Sequence, residues 1–137
     1  MRRAEDVLDE LRTLLPYIES LAEERAQLKS SLLSSPKMSD MKTSGGIKKQ
    51  VDDTYSEIMD LDKELATESR RATERKTEIS LLINQLPNHE HRILLRMIYI
   101  NHFDEWTIRD RLKIGRNRYF KLRRDALKEF EVLINTD

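Results

Sequence analysis

Apolar positions recur along this chain at helical spacing, and the spacing changes character twice. From Ala4 to Leu33, residues Leu8, Leu11, Leu15, Ile18, Ala22, Leu28 and Leu32 keep an interval of roughly 3.5 residues, which predicts an amphipathic helix. Pro16 falls inside that pattern. Its ring removes one backbone donor and crowds the preceding turn, so a kink or break is expected around Arg12 to Leu15. The stretch 34–46 is polar and rich in Ser, Pro and Gly, and reads as a loop, with a second helix starting at Ser44 or Gly46.

The second helix is the longest element. Val51, Ile58, Leu65, Ala72, Ile79 and Leu86 fall seven apart, and Ile47, Thr54, Leu61, Glu68, Arg75 and Leu82 fill the complementary positions. That is an a/d heptad seam, weakened where it holds Glu68 and Arg75. A helix over this span would be about 60 Å long. Pro87 stops it, and Asn88 is placed to cap the next. Residues 1–87 therefore read as a helical hairpin or coiled-coil arm, with the loop at 34–46. Two arrangements satisfy the same stripes: an antiparallel hairpin within one chain, or a seam between chains. In the second, Val51, Ile58, Leu61, Leu65, Ile79 and Leu82 would carry a homodimer or higher oligomer, and Glu68 and Arg75 would set its register or mark where pairing ends.

Past Pro87 the pattern shortens, and residues 88–137 read as a separate small domain. His91 to Ile100 is a brief, strongly apolar helix. Asn101 to Asp104 is a turn with Asp104 as N-cap. Glu105 to Lys113 is a two-and-a-half-turn helix with Ile108 and Leu112 on one face. Ile114-Gly115 is a tight connection, and Arg116 to Phe130 places Tyr119, Leu122, Ala126, Leu127 and Phe130 inward. Tyr99 and Trp106 are expected in the core, and Phe120 against a neighbouring helix or a partner. The fold class is all-α: a long helical arm followed by a three-helix helix-turn-helix unit.

Composition agrees. Charged residues make up 36% and hydrophobic residues 38%, with three Gly and three Pro, as in long helices. There is no Cys, which excludes disulfides and thiolate metal sites. No apolar run is long enough for a membrane span, and the first residues turn acidic at once, unlike a signal peptide. The expectation is a cytoplasmic protein with no membrane partner. Net charge is zero, but residues 1–87 carry 14 Lys/Arg against 17 Asp/Glu, and residues 88–137 carry 11 against 8. Gly115 to Arg124 holds five bases and no acid. His89-Glu90-His91 lacks the i, i+4 spacing of a helical metal pair. No nucleophile, paired carboxylate or phosphate loop can be argued, so the expectation is no enzyme, no metal and no cofactor.

A basic helix backed by apolar residues suits double-stranded DNA. Its first turns reach the groove floor, where Arg and Asn meet base edges, while other bases meet phosphates. Arg116, Asn117, Arg118 and Lys121 are the expected groove residues, and Thr107, Arg109 and Arg124 the expected phosphate contacts.

On these residues the segment from Leu86 to Phe130 resembles sigma-70 region 4, through Ile108, Leu112, Ile114, Tyr119, Leu122 and Ala126-Leu127. With Ser44-Gly45-Gly46-Ile47 opening the second helix, the chain from Ser44 on resembles small phage-encoded transcriptional regulators of the RinA/ArpU type. That resemblance implies control of phage or prophage late genes in a bacterial host cell, and contact with RNA polymerase. Three positions depart from the common helix-turn-helix: Arg109 stands where a small residue is usual, Lys113 where Gly is, and Gly115 where a Ser or Thr cap is. Two other functions use the same parts: a small terminase-like DNA-packaging adaptor, and an interaction protein that binds polymerase or a sigma factor.

Overall fold

A computed structural model describes residues 1–33 and 44–136 of the chain, with side chains from residue 50 onward in the second segment. All regular structure among them is helical. The elements are α1 (Ala4–Leu33), α2 (Ser44–Asn84), α3 (His89–Leu95), α4 (Glu105–Leu112) and α5 (Arg116–Ile134). The loop expected over 34–46 lies outside the described residues, except that α2 is already helical from Ser44. No helix among the described residues is long and apolar enough to cross a membrane.

Helix α1 runs through Pro16 without the expected break. The carbonyl that loses its partner is that of Arg12, on an exposed stretch where water can replace the missing donor. The chain does divide nearby, into two compact units. One comprises Met1–Leu14 with Ala72–Asp137, and the other Leu15–Arg71. The boundary drawn at Pro87 is thus not where packing divides the molecule, because the last part of α2 shares a core with the short helices that follow it.

In the unit spanning 15–71, α1 and α2 are antiparallel. Leu21, Ile58 and Leu61 are buried, while Val51 and Leu65 are half-buried. Tyr17 Oη donates to Glu64 Oε1 at 2.8 Å, and Arg25 pairs with Asp62. Exposed pairs of this kind each contribute ~0–1 kcal/mol, so they fix alignment more than they stabilise. The a/d stripe is covered here in part by α1 of the same chain.

The other unit holds the larger core. Val7, Leu8 and Leu11 of α1 and Ile79, Ile83 and Leu86 of α2 join Leu94, Leu95, Ile98, Tyr99, Ile108, Tyr119, Ala126 and Phe130 in one cluster. Ile79 is fully buried in it and Leu82 packs against it. Ile79 has no free surface for the inter-chain seam considered from the heptads, while Leu82 remains half-buried. Arg75 grips Glu10 with a two-pronged hydrogen bond, 2.7 Å and 3.1 Å, and reaches Glu78 at 2.8 Å. This seam arginine therefore pairs with α1 and its own helix, and Glu68 instead lies 3.9 Å from Arg71. The chain ends meet as well: Arg2 donates to the carbonyl of Ile134 and to the Asn135 side chain, and the Ala4 amide donates to Glu131.

The first turns of α1 thus share one core with α3, α4 and α5. Leu8→Ala should cost about 2–5 kcal/mol of unfolding free energy in urea titration. Leu33→Ala, at a residue 83% exposed, should stay within about 0.5 kcal/mol.

Candidate nucleic-acid interface

The candidate surface is built from α3 to α5. Asn88 caps α3, its side chain accepting from the amides of Glu90 and His91. His91, the buried polar residue of this unit, holds Glu129 of α5 through Nδ1 at 2.7 Å. Glu129 also accepts from the Asn88 amide at 3.3 Å. This pins the start of α3 to the last third of α5. Helix α3 then widens into a π-helical turn, Arg96–Ile100, closed by the Asn101 amide on the Arg96 carbonyl at 2.9 Å. Arg96 ties the turn to Ser80 and Asn84 of α2. Tyr99 is fully buried, as its apolar setting predicts.

Asp104 caps α4, accepting from the Thr107 amide at 2.7 Å. Hydrogen bonds from the Thr107 hydroxyl and amide hold the Asp104 carboxyl below its ordinary range. Thr107 is therefore engaged as a cap partner rather than turned toward a phosphate. Arg109 is also engaged. Its Nη1 lies 3.3 Å from Glu105 Oε2, and its buried Nε has no hydrogen-bond partner. An arginine at a position usually filled by a small residue is accommodated by running its stem along the surface and leaving one donor unmet.

The turn between α4 and α5 is the connection that the sequence assigns to a helix-turn-helix. Lys113 adopts the left-handed conformation, φ 57° and ψ 46°, and the amides of Lys113 and Ile114 both return to the Arg109 carbonyl. That closure is the usual helix ending with Gly in the left-handed position. Lys113 adopts it at a steric cost that Gly would not carry. Ile114 packs on the core, as such closures favour. Gly115 is the N-cap of α5 with φ −83°, and a Cβ there would meet nothing within 4 Å. Neither conformation nor space demands Gly, and the first amides of α5 are left without a side-chain cap.

On α5, Tyr119, Leu122, Ala126, Leu127, Phe130 and Ile134 are buried. Asn117, Lys121 and Arg124 share one exposed face at i, i+4 and i+7, and none has an ion pair or hydrogen bond among the described residues. Lys128 continues this face and was not among the expected contacts, although the same spacing points to it. Arg116 is exposed, its guanidinium 5.6 Å from the Phe120 ring, and Phe120 packs edge-on to Tyr119. Arg118 does not join the face: it turns to Glu90 at 2.8 Å. Of the seven expected DNA residues, the structure thus brings Asn117, Lys121 and Arg124 to one face, leaves Arg116 exposed beside it against Phe120, and ties Thr107, Arg109 and Arg118 elsewhere.

Trp106 corrects an expectation. It is 72% exposed rather than core, and borders an open cleft of about 340 Å³ with Arg109, Asp110, Lys113 and Ile114. It lies two residues before Ile108, on the opposite side of α4 from the buried stripe.

The profile of a family described as "Protein of unknown function (DUF1492)" matches residues 32–131, and the chain belongs to that family. No curated protein and no solved structure matches. The matched stretch omits the first turns of α1, whose Val7, Leu8 and Leu11 complete the core.

Two outcomes test this geometry. Lys113→Gly should raise stability by about 0.5–1 kcal/mol, because it removes the Cβ strain, less the entropy Gly loses. A loss would mean the turn is not left-handed. Asp104 titrates below its ordinary value of 3.8, so its cap stands at neutral pH and weakens as pH falls through the depressed value. In an NMR titration the Thr107 amide should shift with a midpoint under 3.8.

Proposed function

We propose that this chain is a sequence-specific DNA-binding transcription regulator that lays the first turns of α5 in the major groove. One observation carries the reading. Asn117, Lys121 and Arg124 are presented together, without internal partners, on the face of α5 opposite its buried stripe. Asn offers paired donor and acceptor to adenine, and Arg116 can fork onto guanine. Lys121, Arg124 and Lys128 supply phosphate charge along the same side. The positive end of the α5 dipole, with its uncapped amides, adds to the attraction for phosphate.

The resemblance to phage regulators supplies the context: promoter-proximal control of phage or prophage late genes, with RNA polymerase as a second partner. An oligomer that spaces two such units is compatible with this reading, but not through Ile79, which is fully buried inside the chain.

The test uses purified full-length protein and duplex fragments from its own genetic neighbourhood. Replacing Arg116 and Lys121 together by Ala should weaken specific binding at least tenfold. It should also reduce the slope of log affinity against log salt by about one to two, with thermal melting unchanged. Arg118→Ala, at a residue already paired with Glu90, should change affinity far less. Unchanged affinity and salt slope in the double variant would remove α5 as the reader.

A further inference from the structure

The hairpin of the unit spanning 15–71 is short of core. Leu21, Ile58 and Leu61 are the apolar side chains buried there among the described residues. Two amphipathic helices with so little enclosed surface do not hold a fold by themselves. The two flanks of the hairpin are unlike. Tyr17 with Glu64 and Arg25 with Asp62 lie on opposite sides of the buried stripe, and so mark them. On the Tyr17 side, helical spacing places Ser20, Glu24 and Gln27 of α1 with Glu57, Asp60 and Glu64 of α2, all exposed. On the Arg25 side it places Leu15, Ile18, Ala22 and Ala26 of α1 beside Tyr55, Met59 and Ala66 of α2. Leu33 continues this second flank. Leu15 is 46% exposed, Tyr55 57%, Met59 60% and Leu33 83%. One side of the hairpin is thus polar throughout, and the other presents large apolar side chains among alanines.

The apolar flank is complementary to itself. The same two contacts fix the levels of the antiparallel helices: Ile18 stands level with Ala66, Ala22 and Ala26 bracket the level of Met59, and Leu33 stands level with Val51. A second hairpin can lie on this flank, related by a two-fold axis parallel to the helices. That sets α1 of one copy over α2 of the other at those same levels. Ile18 then meets Ala66 of the second copy, Met59 enters the notch at Ala22 and Ala26, and Leu33 meets half-buried Val51. Large side chains face small ones where the helices approach, and each contact occurs twice, as an isologous interface requires. At the rim, exposed Glu19 of one copy comes to exposed Lys63 of the other. The polar flank has no such match, because the same operation there sets Glu24 against Asp60, acid on acid.

We propose that a second copy of this chain covers the flank of Leu15, Ile18, Ala26, Tyr55 and Met59, so that two hairpins form a four-helix bundle. Ile58 and Leu61 stay inside each chain. The contact is therefore not the heptad seam exchanged between chains, but the side of the hairpin next to it. A four-helix bundle with antiparallel neighbours encloses flanks of this kind and supplies the core that one hairpin lacks. The assembly does not depend on α5 reading DNA, and would stand if the protein bound none.

Sedimentation equilibrium of the full chain, without DNA, is the measurement. It should give twice the chain mass at micromolar concentration, and the thermal midpoint should rise with protein concentration. Met59→Glu should weaken the dimer at least tenfold, whereas Gln27→Lys, on the polar flank, should leave it unchanged. Glu19→Lys should weaken it several-fold, and adding Lys63→Glu to the same chain should restore it. The chain has no Cys, so cross-linking is specific to introduced thiols. Ala26→Cys chains mixed with Met59→Cys chains and oxidised should give a disulfide-linked dimer of one of each, and neither variant should do so alone. The proposal is overturned if the protein stays monomeric at millimolar concentration, if Met59→Glu keeps full association, or if Met59→Cys alone cross-links as readily as the mixture.

Discussion

Short helices cannot bury their own stripes, and that constraint organises the whole unit that holds α3, α4 and α5. Helix α4 has eight residues and α3 seven. Neither encloses a core alone. The missing apolar surface comes from Val7, Leu8 and Leu11 at one end of the chain and from Ile79, Ile83 and Leu86 at the end of α2. A long heptad helix is therefore not a spacer bolted to a domain. Its last turns are a wall of that domain, and the wall is completed by residues more than sixty positions earlier in the chain.

This arrangement explains which polar contacts matter. Arg75 and Glu10 meet where α1 and α2 enter the shared core, and His91 with Glu129 joins the beginning of α3 to α5. The second pair is the more consequential, because His91 is buried and Glu129 is mostly so. Removing one partner from a buried pair leaves a polar group without compensation, whereas the exposed Arg25–Asp62 pair can be lost at small cost. The orientation of α5 is thus set at both its ends: by the Lys113 turn before it and by His91 and Arg2 near its finish.

Much of this was legible in the residues. Asn88 and Asp104 announced two helix starts, Pro87 a stop, and the 3.6-residue spacing of Tyr119, Leu122, Ala126 and Phe130 an inward face. What was not legible follows from physics that periodicity does not carry. Heptad positions state that a stripe must be covered, but not by what, so Ile79 and Leu82 suited an inter-chain seam as well as a local core. Pro16 forbids one hydrogen bond, but whether the helix breaks depends on packing at either side. Thr107, Arg109 and Arg118 have the chemistry of DNA contacts, and only their neighbours Asp104, Glu105 and Glu90 show that it is used internally. Trp106 was misplaced by its hydrophobicity, although its spacing from Ile108 already pointed outward.

The same distinction separates the two basic groups on α5. Cations at 121 and 124 lie where a surface helix ordinarily carries charge, and their significance rests on having no partner and on sharing a side with Asn117. Arg123 is different in kind. A half-buried guanidinium with no carboxylate at ion-pair distance is costly to desolvate, and the Tyr99 phenol beside it replaces that carboxylate only in part. The cost is borne where α1, the π-turn and α5 converge, which is the junction that determines how α5 is presented. Charge on the outer face of the helix can be altered without disturbing the fold. Charge on its inner face acts on the fold itself, because it sits among the residues that pack α5 against the rest of the unit.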